Sequence, residues 1–457
     1  MLNLPFFLTL QLLTKNREMI TFFKTKSDKI IAVQFDGQMN ESDLPKLNWL
    51  LAGEQLNETE LTGFFIGPRA AMVSPWSTNA VEITQNMAIN NIVRIEEYLI
   101  ADSKDVAYDP MLANMFTSLT QTLFDVDVKP EAVISIEDIA AYNKAEGLAL
   151  SDEEVTYLEN VSQRVGRKLT DSEVFGFSQV NSEHCRHKIF NGKFIIDGTE
   201  KPSSLFNLIR KTSKENPNTI VSAYKDNVSF VKGPKAMQFA PETQNKADFF
   251  ETKEIDTVLS LKAETHNFPT TVEPFNGAAT GAGGEIRDRM AGGQGSVPMA
   301  GTAVYMTAYS RLEKDSPDNH RDWENGMAER NWLYQTPMDI LIKASDGASD
   351  FGNKFGQPLI NGSVLTFEHT EDGKKFGFDK VIMQAGGIGY GKHQDALKHV
   401  PEKGDKIVVL GGDNYRIGMG GSAVSSVATG EFNSSIELNA IQRSNPEMQK
   451  RASNQRN

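Results

Sequence analysis

The chain has 457 residues, 39% of them hydrophobic and 23% charged, which is typical of a protein with several packed domains and excludes a disordered tail or a fibre. Its formal charge of −13, without any long basic run, excludes a general nucleic-acid binder. A single cysteine, Cys185, excludes an internal disulfide and favours the reducing cytoplasm.

The N-terminus carries an apolar run over residues 2–13. This run lacks the basic start and the small-residue cleavage site of a signal peptide, and no other window approaches the roughly 20 apolar residues that span a bilayer. The sequence therefore predicts no membrane segment. Met19 opens MITFF, which is typical of a strand, so we expect residues 1–18 to precede the folded protein.

Strand-like and helix-like runs alternate over residues 19–103. IIAVQF, LTGFFIGPRAAM and IVRIEEYLIA are typical of strands, whereas SDLPKLNWLLAG and STNAVEITQNMA are typical of helices. This order predicts a small N-terminal α/β sandwich, with helices on one face of an antiparallel sheet.

Residues 104–189 have the pattern of a helical linker. DPMLANMFTSLTQTLF shows helical periodicity, and two capping-box signatures follow, Ser151 with Glu154 and Thr170 with Glu173. Each signature predicts the start of a helix.

Residues 190–402 mix strand patterns with glycine-rich stretches. The candidate strands are TIVSAYKDN, TVLSLKAET, GTAVYMTAYS and KVIMQAGGIGYG. DKIVVLGG then predicts a strand that opens a further domain over residues 403–457, and this domain ends on a polar, helix-like segment without a completed core. The predicted fold class is α+β throughout.

The stretch NSEHCRHK, residues 181–188, holds two of the seven histidines and Cys185. A helix that starts near Thr170 would place His184 and His187 on or near one face. A zinc site would need a second ligand cluster, and a cysteine nucleophile would need a base and a lowered pKa. A capped helix whose histidines only form hydrogen bonds is the third interpretation, and the octapeptide alone decides between none of them.

A second stretch, KAETHNFPTTVEPFNGAATGAGGEIRDRM, follows a strand. Glu264 and His266 alternate in strand register and are expected to point to the same side. The glycines of residues 277–288 predict a loop whose amides cradle phosphates before a short helix, although neither the P-loop nor the dinucleotide pattern is present. A flexible loop without a ligand is the alternative. KASDGASDFGNKFGQP again combines glycines with acidic residues, Asn353 and Lys354, and predicts a second ligand-lining loop.

Six motifs occur here in the order in which they occur in a known family. NSEHCRHK, KAETHNFP, GAATGAGGEIRD, ASDFGNKFG, RIGMGGSAVSS and QRSNPEM, together with GPRAAMVSPWSTNA, resemble the first half of the large formylglycinamidine ribonucleotide synthases. The resemblance covers residues 19 to about 453. It implies a small N-terminal domain, a helical linker, a first aminoimidazole ribonucleotide synthetase-like α+β domain, and the start of its partner domain, truncated here.

The resemblance also implies an activity. The family is an ATP-dependent carbon–nitrogen ligase of de novo purine biosynthesis: ATP phosphorylates an amide oxygen of formylglycinamide ribonucleotide, and ammonia displaces the phosphate to form the amidine. The expected cofactors are ATP and Mg²⁺. Ammonia comes from glutamine in a separate glutaminase domain, which is absent here, as is the second synthetase-like half.

Site residues follow motif by motif from the same resemblance. The expected catalytic residues are His184 and His266, substrate binding is expected from Lys262, Glu264 and Arg287, and the expected metal ligands are Glu264 and Asp288. The residues expected to bind the nucleotide are Gly277, Ala278, Ala279, Thr280, Gly281, Ala282, Gly283, Gly284, Glu285, Ile286, Arg287, Asp288, Asn353, Phe355, Gly356 and Gln357. Cys185 would then be a packed residue of a synthetase motif.

Two functions of different class remain open. The chain is expected to be the N-terminal part of the ligase, inactive by itself, or else a non-catalytic piece that binds nucleotide or docks to other parts of the synthase. A zinc-dependent nucleic-acid module is opposed by the charge and by the number of ligands.

Overall fold

The computed structural model describes most of the chain between residues 19 and 456, and the polypeptide forms two compact units, Met1–Glu131 and Ala132–Asn457. The expectation for residues 1–18 falls outside the described residues. The described ranges are 19–70, 73–108, 113–126, 132–148, 150–181, 187–243, 246–311, 324, 335–378, 380–409, 441 and 445–456.

The first unit is built on a six-stranded antiparallel sheet with the strand order β3-β1-β2-β5-β4-β6. Two helices follow β2 and β4, as the alternation in the sequence predicted. The elements are β1 Met19–Thr25, β2 Lys29–Phe35, α1 Leu44–Leu50, β3 Gly53–Gln55, β4 Leu61–Pro68, α2 Pro75–Asn86, β5 Ile92–Ala101 and β6 Ala113–Leu119.

Successive side chains of a strand point to opposite faces of this sheet, and each face has its own buried core. Ile31 and Val33 of β2 pack with Leu47 of α1, whereas Ile30 and Ala32 lie in a second buried cluster on the other face. Strands with side chains buried on both faces are apolar throughout, which explains why IIAVQF has no polar position before its glutamine.

The segment expected to be helical after residue 103 contains β6 instead. Met115 and Phe116 pair with Ile66 and Phe65 of β4, so the segment forms an edge strand of the first sheet. Its apolar residues fit a helical face as well as a strand, and only the partner strand decides between the two. The first sheet therefore extends past residue 103. The other domain limits given in the sequence analysis, at residues 18, 189 and 402, stay predictions.

The second unit opens with short helices, and both predicted capping boxes are present. The side chains of Ser151 and Thr170 each accept a hydrogen bond from the backbone amide of the glutamate three residues on. The side chain of that glutamate accepts one from the backbone amide of the serine or threonine. The helices are α3 Ile139–Glu146, α4 Asp152–Val165, α5 Asp171–Val180 and α6 His187–Asn191. The single helix expected to run from Thr170 through residue 187 is wrong, because α5 ends at Val180.

A second six-stranded sheet follows, in the order β13-β12-β16-β11-β10-β9, antiparallel except for the parallel pair β12 and β13. The two small two-stranded sheets are β7 with β8 and β14 with β15. The elements are β7 Ile195–Ile196, β8 Thr199–Glu200, α7 Leu205–Glu215, β9 Ile220–Ser222, β10 Ser229–Pro241, β11 Phe250–Thr265, α8 Asn267–Val272, α9 Pro274–Ala291, β12 Val297–Thr307, α10 Pro337–Phe355, β13 Leu359–Thr366, β14 Glu368–Glu371, β15 Lys374–Gly377, β16 Ile382–Lys392 and α11 Pro446–Arg456.

The helices α9 and α10 pack together on β12 and β16, and their alanines and phenylalanines form the largest buried cluster. The fold class is α+β, as predicted. The strand expected at DKIVVLGG is absent from residues 405–409, and the rest of that motif lies outside the described residues. The polar C-terminal segment is helical, as expected. No helix of the described residues is long and apolar enough to cross a membrane.

Gly347 shows how closely α9 and α10 approach. A Cβ atom on Gly347 would lie 1.9 Å from the carbonyl oxygen of Phe275, so Gly347→Ala is expected to destabilise the protein by about 1–3 kcal/mol. Gly176 in α5 is the matched control, because a Cβ there meets nothing within 4 Å and alanine should stabilise the helix by about 0.5–1 kcal/mol. Urea unfolding measures both changes, and effects of equal sign would contradict this explanation.

Candidate active site

A cluster of opposite charges lies where β11 passes α9. Lys262 Nζ is 2.8 Å from Asp288 Oδ2 and 3.3 Å from Glu264 Oε2. Lys262 and Glu264 are two residues apart on one strand and therefore share a face. The side chains are 18%, 23% and 29% exposed for Lys262, Asp288 and Glu264, so the cluster is partly shielded from water and still open to a ligand.

Arg287 adds a second cation to this cluster. Burial lowers the pKa of its guanidinium, against the opposing effect of the Asp288 and Glu264 charges. For Lys262 burial also acts to lower the pKa, but the hydrogen bond with Asp288 and the two carboxylate charges outweigh it and raise the pKa. A guanidinium stays protonated in proteins, and the neighbouring carboxylates favour the charged form of Lys262. Two positive groups therefore face two negative ones.

His266 stands at the end of β11, next to this cluster. Its Nδ1 lies 2.6 Å from the carbonyl oxygen of Gly277 in α9. Because a carbonyl oxygen only accepts hydrogen bonds, Nδ1 carries a proton, so in the neutral form of the ring the lone pair lies on Nε2. The geometry selects one tautomer, with the basic nitrogen on the side of the ring away from α9.

Hydrogen bonds from neighbouring groups fix the backbone of residues 264–267, the ETHN motif. The amide of His266 donates to the carbonyl oxygen of Met383 at 2.9 Å, and Asn267 Oδ1 accepts from the Met383 amide at 3.0 Å. Thr270 Oγ1 donates to the His266 carbonyl oxygen at 2.6 Å. The motif is thereby fixed to β16, which explains the role of its asparagine.

The glycine-rich stretch 277–288 is not a loop, and this expectation was wrong. It lies inside α9, where the amides serve the helix. A Cβ on Gly281 would lie 2.8 Å from Met383 Sδ, and one on Gly283 would lie 2.6 Å from the Phe351 ring. The glycines are needed for close packing, so they do not cradle phosphates with free backbone amides. From residue 277 to residue 286, every residue except Gly284 is buried.

Glu285 and Gln357 were also expected to contact nucleotide, and both are instead fully buried with Arg289. Arg289 Nε donates to Glu285 Oε2 at 2.8 Å, and Gln357 Nε2 donates to Glu285 Oε1 at 2.6 Å. Arg289 also contacts the Gln357 amide oxygen. Burial raises the pKa of Glu285 and lowers that of Arg289, while each charge opposes the shift of the other. This trio connects α9 to the end of α10 and is part of the core.

The second expected loop, ASDFGNKFGQP, forms the C-terminal part of α10. Phe355 is buried, and Gly356 ends the helix in a left-handed conformation with φ 92°. Asn353 and Gly356 are exposed, so of this motif's four predicted nucleotide contacts only these two are open to a ligand.

The other expected catalytic histidine, His184, lies outside the described residues, as do Cys185 and the motif RIGMGGSAVSS. His187 is described: it is exposed at the start of α6, and its ring meets Phe206 edge to face at 5.3 Å. The structure brings Lys262, Glu264, His266, Arg287 and Asp288 together among the predicted residues.

Asn227 was missed by the sequence analysis. Its Nδ2 donates to Asp288 Oδ1 at 3.4 Å from 61 positions away in the chain. It stands in a turn before β10 without a motif around it, so no sequence signal indicated it. Among the residues that the structure describes, no group of three or more His, Cys, Asp or Glu could hold a metal ion by itself.

Comparison with known proteins gives two family matches. The model described as formylglycinamide ribonucleotide amidotransferase N-terminal matches residues 29–129, and the model described as the linker domain of the same enzyme matches residues 139–188. The two matches follow one another along the chain in the order expected from the motifs.

Several solved structures are similar to this chain, at sequence identities of 21% or less in the three cases that follow. T. maritima PurL complexed with FGAR is 21% identical, with 66% of this chain and 36% of that chain covered and a TM-score of 0.38. T. maritima PurL complexed with ATP is 18% identical, with 52% and 27% covered and a TM-score of 0.28. For tt0281 from Thermus thermophilus the values are 13%, 30%, 34% and 0.20. The chain thus spans 36% of the PurL chain in the first of these alignments.

The two family models describe consecutive parts of one enzyme, and they match in that order here. Residues 29–129 and 139–188 are thus similar to two consecutive regions of the formylglycinamide ribonucleotide amidotransferase family.

Proposed function

We propose that the chain takes part in the ATP-dependent conversion of formylglycinamide ribonucleotide to formylglycinamidine ribonucleotide in purine biosynthesis. The observation that carries the proposal is the partly open cluster of Lys262, Glu264, Arg287 and Asp288 beside His266. Such a set, in a chain with the amidotransferase N-terminal and linker regions, suits a reaction between two phosphorylated molecules.

In this proposal the two cations bind phosphate oxygens. Lys262 and Arg287 lie beside carboxylates whose charges favour their protonated forms, and an incoming phosphate would take over part of that pairing. Besides Arg287 and Asp288, the residues Gly284, Asn353 and Gly356 of the predicted nucleotide-binding set are not buried and remain proposed contacts. The buried members of that set act through packing instead.

Glu264 and Asp288 would hold Mg²⁺. Both carboxylates already face one cation, the Lys262 ammonium, and Mg²⁺ in nucleotide sites typically takes one or two carboxylates together with phosphate oxygens and water. The donor set fits a shared site of this kind. Bound there, the ion would neutralise the charge on the phosphates.

His266 would manage the proton of incoming ammonia. The family reaction transfers the γ-phosphate of ATP to the carbonyl oxygen of the glycinamide group; ammonia then adds to that carbon, the C–O bond breaks, and phosphate leaves as the amidine forms. The ammonia nitrogen must lose protons overall, and the Nε2 lone pair of a neutral histidine is suited to accept one. Ammonia itself would come from a glutaminase partner. The second synthetase-like half would be supplied by another part of the enzyme.

The proposal is tested by measuring ADP release with formylglycinamide ribonucleotide, ATP, Mg²⁺ and ammonium chloride as the nitrogen source. We expect Lys262→Met to raise the KM or the Kd for a phosphorylated ligand by about 10–100-fold, as expected for the loss of charged hydrogen bonds. Lys235→Met is the matched control, because Lys235 is also a strand lysine paired with a glutamate but is 66% exposed.

Equal effects of the two lysine variants would count against the assigned site. Binding of ATP without ADP release, at saturating ammonium chloride, would support the alternative of a nucleotide-binding part that requires another chain for catalysis. An absence of both binding and turnover would overturn the proposal.

A further inference from the structure

We propose that Asn227 is a positioning residue for Asp288: its side-chain amide holds one carboxylate oxygen and leaves the other for Mg²⁺. The inference deepens the proposed function and rests on it for the identity of the ion. Every contact that carries it joins described residues. Asn227 and its neighbour Asp226 lie in the turn between β9 and β10.

The two oxygens of the Asp288 carboxylate have partners on different elements. Oδ2 lies 2.8 Å from Lys262 Nζ of β11, and Oδ1 accepts the hydrogen bond of 3.4 Å from Asn227 Nδ2. The carboxylate is therefore held from both sides, and its rotation about the Cβ–Cγ bond is restricted. An ion that binds at Oδ2 would compete with the Lys262 ammonium but not with the Asn227 amide.

The partner on Oδ1 is a neutral amide, which suits a cation site. An asparagine amide donates hydrogen bonds without adding positive charge, so it orients the carboxylate and leaves its full charge to attract a cation. Carboxylates that bind metal ions are commonly held by outer partners of this kind, and removal of one typically costs about 10–100-fold in metal affinity or activity. Asn227 fits the role of outer partner to Asp288.

Asp226 holds Asn227 in place. Its Oδ1 accepts a hydrogen bond from the Asn227 backbone amide at 2.9 Å. Its Oδ2 accepts one from the Gly293 amide at 3.0 Å and also contacts Lys398 Nζ. Only 16% of the Asp226 side chain is exposed. The turn is therefore tied to the chain just after α9 and to the chain after β16.

The segment after α9 is itself closely packed. Gly293 has a φ of 58°, and a Cβ atom there would lie 2.2 Å from the carbonyl oxygen of Asp395. Asp288 lies in the last turn of α9, just before this segment. Through Asp226, the turn that carries Asn227 and the helix end that carries Asp288 are thus held to one packed segment.

Binding of Mn²⁺ tests this role without turnover, because Mn²⁺ prefers the same oxygen ligands as Mg²⁺ and its free ion gives an electron paramagnetic resonance signal. The Kd is measured on the whole chain with ADP, after correction for Mn²⁺ bound by ADP alone. We expect Asn227→Ala to raise this Kd about 10-fold at unchanged Tm, the lower end of the usual range, because Asn227 is exposed. Asn227→Gln keeps an amide donor and should raise it less.

Asn91→Ala is the matched control. Asn91 also donates a side-chain hydrogen bond to a distant residue, to the Gln38 carbonyl oxygen at 2.9 Å, but it lies in the first compact unit. Its loss should leave the Kd for Mn²⁺ unchanged. Asp226→Ala should raise the Kd by itself and add little in the Asn227→Ala background, since the two residues act through one contact.

Ammonium-dependent ADP release separates this role from a purely structural one. We expect Asn227→Ala to raise the apparent KM for Mg²⁺ about 10-fold, with a much smaller effect on kcat. An unchanged Kd for Mn²⁺ in both Asn227→Ala and Asn227→Gln, or equal rises in Asn227→Ala and Asn91→Ala, would overturn the inference.

Failure of the proposed function gives different results. Mn²⁺ binding without ADP release would contradict the proposed reaction alone, and the comparison of Kd values would still test Asn227. An absence of Mn²⁺ binding by the unmodified chain would overturn the role of Asn227, whereas the phosphate contact of Lys262 would still be judged by Lys262→Met.

Discussion

Arg289→Met is expected to lower the free energy of unfolding by about 3–5 kcal/mol, the range found when one partner of a buried ion pair is removed. Arg289 and Glu285 are both fully buried, and the variant leaves the Glu285 carboxylate with only the Gln357 amide as a partner. Urea unfolding at neutral pH measures the change.

The pH dependence identifies the cause. Burial already raises the pKa of Glu285 above 4.5, and the charge of Arg289 opposes that rise, so its removal should raise the pKa further. A carboxyl whose pKa is higher in the folded than in the unfolded protein stabilises the fold at pH values below the unfolded-state pKa. This stabilisation is lost as the pH rises through the folded-state pKa. The variant should therefore differ least from the parent in acid and most at neutral pH.

Two controls accompany this variant. Arg167→Met removes the same type of residue from an exposed pair with Glu173 and should change the stability little. The double variant Arg289→Met with Glu285→Leu should recover part of the loss, since it removes the unpaired carboxylate. A loss for Arg289→Met as small as that for Arg167→Met would contradict the account of a buried pair.

His266→Asn is expected to lower kcat for ammonium-dependent amidine formation by about 10²–10⁴-fold, the usual contribution of a general acid–base group. An asparagine amide can still donate to the Gly277 carbonyl oxygen, whose present distance from Nδ1 is 2.6 Å, but it offers no basic nitrogen at the position of Nε2. Product formation and Tm are measured together, so that a folding defect is recognised.

His369→Ala is the control, because His369 lies on the exposed hairpin β14 and β15, where its ring stacks near Phe367 and Phe376. It should leave kcat unchanged. Full activity in His266→Asn would remove His266 from the mechanism and leave the charged cluster as a binding site only.

The helix starts were predictable because their signal is local. Ser151 with Glu154 and Thr170 with Glu173 form the capping boxes that their spacing indicated, since each box needs only four consecutive residues. The strands β2 and β5 were equally clear from their apolar pattern, and so was the second part of β11, residues 257–265. Residues 113–119 were not, because an edge strand and a helix can share one apolar pattern.

The glycine-rich stretches were misread for a related reason. Glycine favours a loop in the absence of other information, but Gly283 and Gly347 lie in helices that approach other groups too closely for a Cβ atom. Which partner approaches a glycine is a property of distant residues. For the same reason Glu285 was taken for a ligand contact, although it pairs inside the core with Gln357, 72 positions away.

The sequence by itself determined the α+β class and the two capping boxes, and it singled out the residues of the charged cluster, because motifs and short-range patterns need no partner. Only the tertiary structure decided which polar residues face a ligand and which are buried, since burial depends on elements far apart in the chain. Asp288 and Glu285 stand three residues apart in α9, yet the first is partly open and the second is fully buried beside Arg289. That difference arises from the packing of α9 against the sheet and α10, and no local pattern encodes it.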